Sequence, residues 1–204
     1  MNFFPFQSVC IALFLLLSYT TTAQDTSRLH IFSGIGIIGG LGNFDKAVEP
    51  SLGFNSGVEY KLNQRFVAQA SIDFNALRYS QQFADNNSIY LFQNTNTMLF
   101  VLGTAIGYNV SPVKAKLQGL IYTGGGFLNI GEPRLAFSSP TVITQSVVRK
   151  SGIFGKTGFR LGYKTTSNFL QTIYIDTSFW RSAVNAQGGK VQGISILLGT
   201  HLSL

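Results

Sequence analysis

Residues 53–76, GFNSGVEYKLNQRFVAQASIDFNA, alternate in polarity residue by residue, which restricts sharply what this chain can fold into. Leu52, Phe54, Val58, Tyr60 and Leu62 share one parity, and Asn55, Glu59 and Lys61 share the other. After Asn63 and Gln64 the pattern resumes, with Phe66, Ala68, Ala70, Ile72 and Phe74 set against Arg65, Gln69, Asp73 and Asn75. Successive side chains of a strand point to opposite faces, so the segment predicts two strands joined by a tight turn. Two solvents satisfy such a hairpin. In a soluble sheet the charged face meets water, whereas in a membrane barrel the apolar face meets lipid and the charged face is enclosed.

The same alternation predicts six further strands, over about 29–38, 95–110, 114–127, 152–164, 169–180 and 191–204, and no helix. The connections differ by end. Short turns are expected at Asn63-Gln64, Ser111 to Val113 and Thr165 to Asn168, and longer polar loops at 39–51, 79–94, 128–151 and 181–190. An even number of long strands, with short turns at one end and long loops at the other, is the pattern of a bacterial outer-membrane barrel. A soluble lipocalin-type barrel shares the strand number but has no need of the asymmetry.

Composition and aromatic placement favour the lipid-facing alternative. Only 11% of the residues are charged and mean hydropathy is +0.22, against about 25% charged residues in an ordinary soluble domain. Tyr60, Phe66, Tyr108, Tyr163 and Phe169 all flank short turns on the apolar parity, as an aromatic girdle at the periplasmic interface would. The opposite parity mixes isolated charges with many glycines, which suits the narrow interior of an eight-stranded barrel.

Met1 to Ala23 carry no charged side chain, include the apolar run VCIALFLLLSY and end in Thr21-Thr22-Ala23. This reads as a signal peptide over residues 1–23, leaving a barrel domain over 24–204. Cys10 lies within the run, so disulfide and thiol chemistry are not expected of the mature chain. No later stretch approaches the roughly 18 consecutive apolar residues of a membrane helix.

Candidate chemistry is sparse. Gly34 to Gly39, GIGIIG, has dinucleotide-motif spacing, but GLGNFDKAVEP follows it and does not favour the helix that the motif requires. Glu59, Arg65, Asp73, Lys156, Arg160 and Asp176 share the enclosed parity and are expected to form a lumen charge network. A narrow path favouring anions is the alternative use of these charges. His30 and His201 lie on the strands that must close the barrel, yet two histidines do not make a metal site. No cofactor, metal or catalytic group is expected. The net charge of +7 does not come with a nucleic-acid recognition element. Lys46, Arg134, Arg149, Lys150, Arg181 and Lys190 fall in the expected long loops, where they could meet lipopolysaccharide phosphates.

From about Leu29 to Leu204 the pattern resembles small outer-membrane barrels of the OmpA-transmembrane and OmpX type. Thr21-Thr22-Ala23-Gln24 and the glycine-rich strands resemble the Bacteroidota outer-membrane β-barrel family, known as porin-family or PorT-like proteins. The resemblance implies an all-β, eight-stranded antiparallel up-and-down transmembrane barrel, integral to the bacterial outer membrane. It implies a non-enzymatic role in envelope structure or surface interaction, with a protein partner at the loops and a secretion-accessory role as further expectations. A narrow pore is one alternative. Another is a lipid A acyl hydrolase, because His201-Leu202-Ser203 resembles the H-x-S of outer-membrane deacylases, although here it falls on the enclosed face at the short-turn end.

Overall fold

The computed structural model describes residues 28–85, 88–112, 115–139, 142–167 and 169–203. The signal peptide expected over Met1 to Ala23, with Cys10, lies outside the described residues. The strands are β1 (Leu29–Gly40), β2 (Val48–Glu49), β3 (Ser51–Lys61), β4 (Phe66–Asp85), β5 (Ser88–Asn109), β6 (Leu117–Ser139), β7 (Val142–Lys164), β8 (Leu170–Ala186) and β9 (Gly189–Ser203). Every pairing is antiparallel, and β1 pairs with β9 from His30↔Ser203 to Gly40↔Gly193, which closes the sheet. Both β2 and β3 pair with β4, and Pro50, which has no N–H for the ladder, stands between them. They form one interrupted stave of an eight-stranded barrel.

Outward positions are apolar over a belt. In β4 they run Phe66, Ala68, Ala70, Ile72, Phe74 and Ala76, and in β8 they include Ile173, Ile175 and Phe179. Exposed leucines and isoleucines in β1, β3, β5 and β9 continue the belt around the barrel. Beyond it many outward positions are polar, at Arg78 in β4, Asn96 in β5, Arg149 and Ser151 in β7, and Arg181 and Asn185 in β8, with Val147 and Ala183 as apolar exceptions. Hydrocarbon tolerates the first set and not these polar side chains.

The expected long loops at 79–94, 128–151 and 181–190 are instead continuations of the strands. β4 and β5 stay paired out to Asp85↔Ser88, β6 and β7 out to Ser139↔Val142, and β8 and β9 out to Ala186↔Gly189. The asymmetry between the ends therefore lies in strand length, since three hairpins overrun the belt. Gln187 at φ 51 and Gly188 at φ 76 make the two-residue turn between β8 and β9, with the backbone sign that matches strand twist. The connection after β1 is a folded loop. Its Gly42 has φ 63, and both the Ala47 and Val48 amides donate to the Phe44 carbonyl.

The interior has two storeys. Toward the hairpin end it is an apolar core containing Ile38, Leu77, Leu99, Ile130, Phe154 and Trp180, among others. Toward the short turns it is mainly polar and charged, with Glu59, Arg160, Asp176 and Thr172 buried beside a small apolar cluster of Val67, Leu120 and Tyr122. The enclosed parity is thus not polar throughout.

Candidate functional site

The centre of the polar storey is Arg160 on β7. Strand pairing sets Arg160 opposite Asp176 on β8, and its Nε donates to Asp176 Oδ2 at 2.9 Å. Its Nη1 crosses the lumen to β3, on the far side of the barrel, and donates to Glu59 Oε2 at 3.3 Å and to His201 Nε2 at 2.9 Å. The guanidinium also lies over the rings of Tyr174, at 4.3 Å, and Phe32, at 4.8 Å. Two carboxylates share this one cation, and neutral donors complete them. Gln69 Nε2 donates to Glu59 at 2.8 Å, and the Tyr122 hydroxyl donates to Asp176 Oδ1 at 2.6 Å. Arg160, Glu59 and Asp176 are all nearly inaccessible, which is the condition under which buried ions need partners on every lone pair.

Asp73 and Lys156 form a second tie, at 3.4 Å, and Asn55 also donates to Asp73. Five of the six network residues are therefore enclosed. Arg65 is the exception and corrects the sequence reading: it follows Asn63 in the exposed turn, outside both strands, and its guanidinium meets the Tyr108 hydroxyl. The Asn63 side chain accepts from the Arg65 and Phe66 amides, both at 2.8 Å, and this Asx turn ends the parity before Arg65 can point inward. Tyr60, Phe66, Tyr163 and Phe169 are exposed beside the short turns, and Tyr108 is half-buried with its ring 5.2 Å from that of Phe66.

The hairpin end is sealed from within. The loop after β1 turns Phe44, Ala47 and Val48 inward, and the Phe44 ring packs edge-on against Trp180 at 6.5 Å. Above this core sits Glu132 of β6. It accepts from the Gln187 amide at 2.7 Å and pairs with Lys150 at 2.7 Å and Arg134 at 2.9 Å. Burial pushes the Glu132 carboxyl up, but the Gln187 amide and the two cations outweigh it and hold the group below the ordinary glutamate value. Arg134 and Lys150 are thus tied to the buried Glu132, although half of the Arg134 side chain stays exposed. Lys46, Arg149, Arg181 and Lys190 are exposed at this end.

At the short-turn end the barrel opens into a vestibule of about 470 Å³, whose inner wall is the Arg160 cluster. Arg28, Lys61, Lys164 and Arg160 line it, with Glu59 as the only lining carboxylate among the described residues. His201 is part of that wall, and its Nε2 lies 3.6 Å from Glu59. Glu59 stands near His201 because it pairs with His30 across β1 and β3. A guanidinium N–H occupies that same Nε2, the lone pair that a metal or a serine proton would need.

Neither a family model nor a curated protein matches the chain. Solved structures do match it in shape. Neisserial surface protein A superposes with a TM-score of 0.60 at 8% identity, covering 87% of this chain and 98% of that one. Ail, the attachment invasion locus protein of Yersinia pestis, gives 0.47 at 14% identity, over 86% of this chain and 98% of that one. The N-terminal β-barrel domain of Pseudomonas aeruginosa OprF gives 0.44 at 11% identity, again over 86% and 98%. The first of these shares the eight-stranded fold. With that fold, a closed backbone ladder and an apolar belt facing outward, the chain is an integral protein of the bacterial outer membrane.

Proposed function

We propose that this is a non-enzymatic outer-membrane barrel that serves the envelope structurally and presents its overrunning hairpins to a partner at the cell surface. One observation carries the reading: the interior is filled from the Arg160 cluster to the Phe44 seal, while three hairpins extend past the belt. A body with a blocked lumen and projecting ribbons is built for contact, not conduction. The short turns then face the periplasm, the residues 60, 66, 108, 163 and 169 form its aromatic girdle, and Arg149, Arg181 and Lys190 stand where lipopolysaccharide phosphates lie.

A signal peptide over residues 1–23 and a barrel domain over 24–204 belong to this proposal, as does membership of the Bacteroidota PorT-like group, which the Thr-Thr-Ala-Gln stretch and the glycine-rich strands support. A secretion-accessory partner is one form the surface role could take. Planar-bilayer recording tests the closed lumen: the refolded protein should give no single-channel steps, and regular steps would overturn the reading. Tags inserted at Gln187-Gly188 and at Asn63-Gln64 test orientation. Only the first should be labelled on intact cells.

A further inference from the structure

The hairpin of β6 and β7 outruns both of its neighbours. Pairing of β5 with β6 stops at Leu99↔Ile130 and pairing of β8 with β7 stops at Phe154↔Ser182, whereas β6 and β7 stay paired out to Ser139↔Val142. Beyond the barrel the hairpin is a two-stranded ribbon, and its two edges differ. On β6 the edge groups are spent. The Gly131 carbonyl accepts from the Tyr79 and Thr97 hydroxyls at 3.1 and 2.9 Å, the Pro133 carbonyl accepts from the Gln187 side-chain amide at 2.8 Å, and Pro133 has no N–H to offer. On β7 the Ser182 hydroxyl of β8 donates to the Ile153 carbonyl at 2.9 Å. Past that bond, from Gln145 to Ser151, nothing bonds to the backbone on the β8 side among the described residues. Val147 opposes Pro133, so by the alternation of an antiparallel ladder Gln145, Val147, Arg149 and Ser151 turn their N–H and C=O groups away from β6.

The side chains along this edge suit a further strand. Val147 and Val148 are 53% and 40% exposed beyond the belt, and β-branched residues pack well against strand neighbours. Ion pairs at this end engage Arg78, Arg134 and Lys150, the last turned to Glu132, and leave Arg149 out among the described residues. We propose, on the footing of the surface role above, that the β7 edge over residues 145–151 takes an acidic, extended segment of a surface partner as an added strand. Backbone bonds to the four edge residues attach it, apolar side chains of the segment cover the valines, and a carboxylate meets Arg149. A second copy of this chain is disfavoured, since it brings its own Arg149 to the same short ladder.

The test titrates the refolded full chain, in non-ionic detergent, with a blocked, dye-labelled peptide of alternating glutamate and valine. A saturable rise in fluorescence anisotropy is expected, together with slowed amide exchange along residues 145–151 and not along the β6 edge. The same peptide with its ladder-facing amides N-methylated keeps its charge and side chains but cannot complete the ladder, and should not bind. Arg149→Glu should weaken binding about tenfold, whereas Arg78→Gln should leave it unchanged. Absence of saturable binding, equal binding of the N-methylated peptide or of a peptide of alternating lysine and valine, or slowed exchange elsewhere than β7 would each overturn the proposal. Silent bilayers and surface labelling do not depend on these results, so failure here leaves the surface role itself standing.

Discussion

Replacing Arg160 by methionine tests the account of the lumen most directly. Arg160 is 5% accessible, Glu59 5% and Asp176 2%, so the substitution strands two carboxylates that water cannot reach. Gln69 would still donate to Glu59 and Tyr122 to Asp176, with His201 3.6 Å from Glu59, but the compensating cation would be gone. Removing one partner from a buried ion cluster costs about 3–5 kcal/mol, because the remaining charges are left uncompensated. Methionine preserves most of the packing against Tyr174 and Phe32, so little of the loss should come from an empty cavity. The chain has one tryptophan, Trp180, buried in the upper core, and its fluorescence reports unfolding. In urea titrations in non-ionic detergent, the Arg160→Met midpoint should fall by more than about 1 M. The triple variant with Glu59→Gln and Asp176→Asn removes the stranded charges while keeping acceptors for Gln69 and Tyr122, and should recover most of the loss. If Arg160→Met stayed within about 1 kcal/mol of the parent, or if the triple variant were as unstable as the single one, the buried-charge reasoning would be refuted.

Three further outcomes follow from the packing. Phe44→Ala should loosen residues 41–50 by about 3–5 kcal/mol, measured as faster amide exchange there, while bilayers stay silent because the Arg160 cluster still fills the lumen below. A methyl added at Gly162 would lie 2.6 Å from Thr172 Cγ2, so Gly162→Ala should lower the urea midpoint and Thr172→Ser should restore it. Glu132 titrates below the ordinary glutamate value, so its tie to the β8–β9 turn is present above that value and is lost as pH falls through the lower one. The Gln187 amide proton shift should therefore move with a midpoint below 4.5, and a midpoint at or above it would show that the carboxylate is not held as described.

The hairpin over residues 53–76 was legible because its apolar parity is continuous and its turn is written in Asn63. Its faces followed from signals elsewhere in the chain: the signal peptide, the unequal connections and the level of the aromatic rings, with the charge shortage as a first hint. The partners of Arg160 were legible only as a shared parity. That Asp176 is its strand neighbour while Glu59 is reached across the lumen depends on register and closure, which no local pattern encodes. The Phe44 seal was hidden for a different reason: GLGNFDKAVEP has turn composition, and nothing local says that its one aromatic side chain folds back into the barrel mouth. The extent of the strands was misread, and β8 shows why.

Along β8, inward and outward positions alternate without a break from Thr172 to Ala186. From Ile173 to Phe179 the outward residues are Ile173, Ile175, Thr177 and Phe179, apolar but for the threonine, and the inward ones are Thr172, Tyr174, Asp176 and Ser178. From Trp180 the balance shifts, with Trp180, Val184 and Ala186 inward beside Ser182, and Arg181 and Asn185 outward beside Ala183. A reader following one parity sees the pattern fail at Arg181 and infers a loop. The strand has instead passed from lipid into water, where the outside must be wet and the inside can be an ordinary apolar core. This predicts opposite tolerance at two outward positions of one strand. Ile175→Arg places a charge inside the belt and should cost about 2–4 kcal/mol, whereas Ala183→Arg lies beyond it and should cost about 0–1 kcal/mol. Unfolding titrations in phospholipid bilayers measure both. Equal costs at the two sites would mean that the belt does not end between them, and the shift in balance would need another cause.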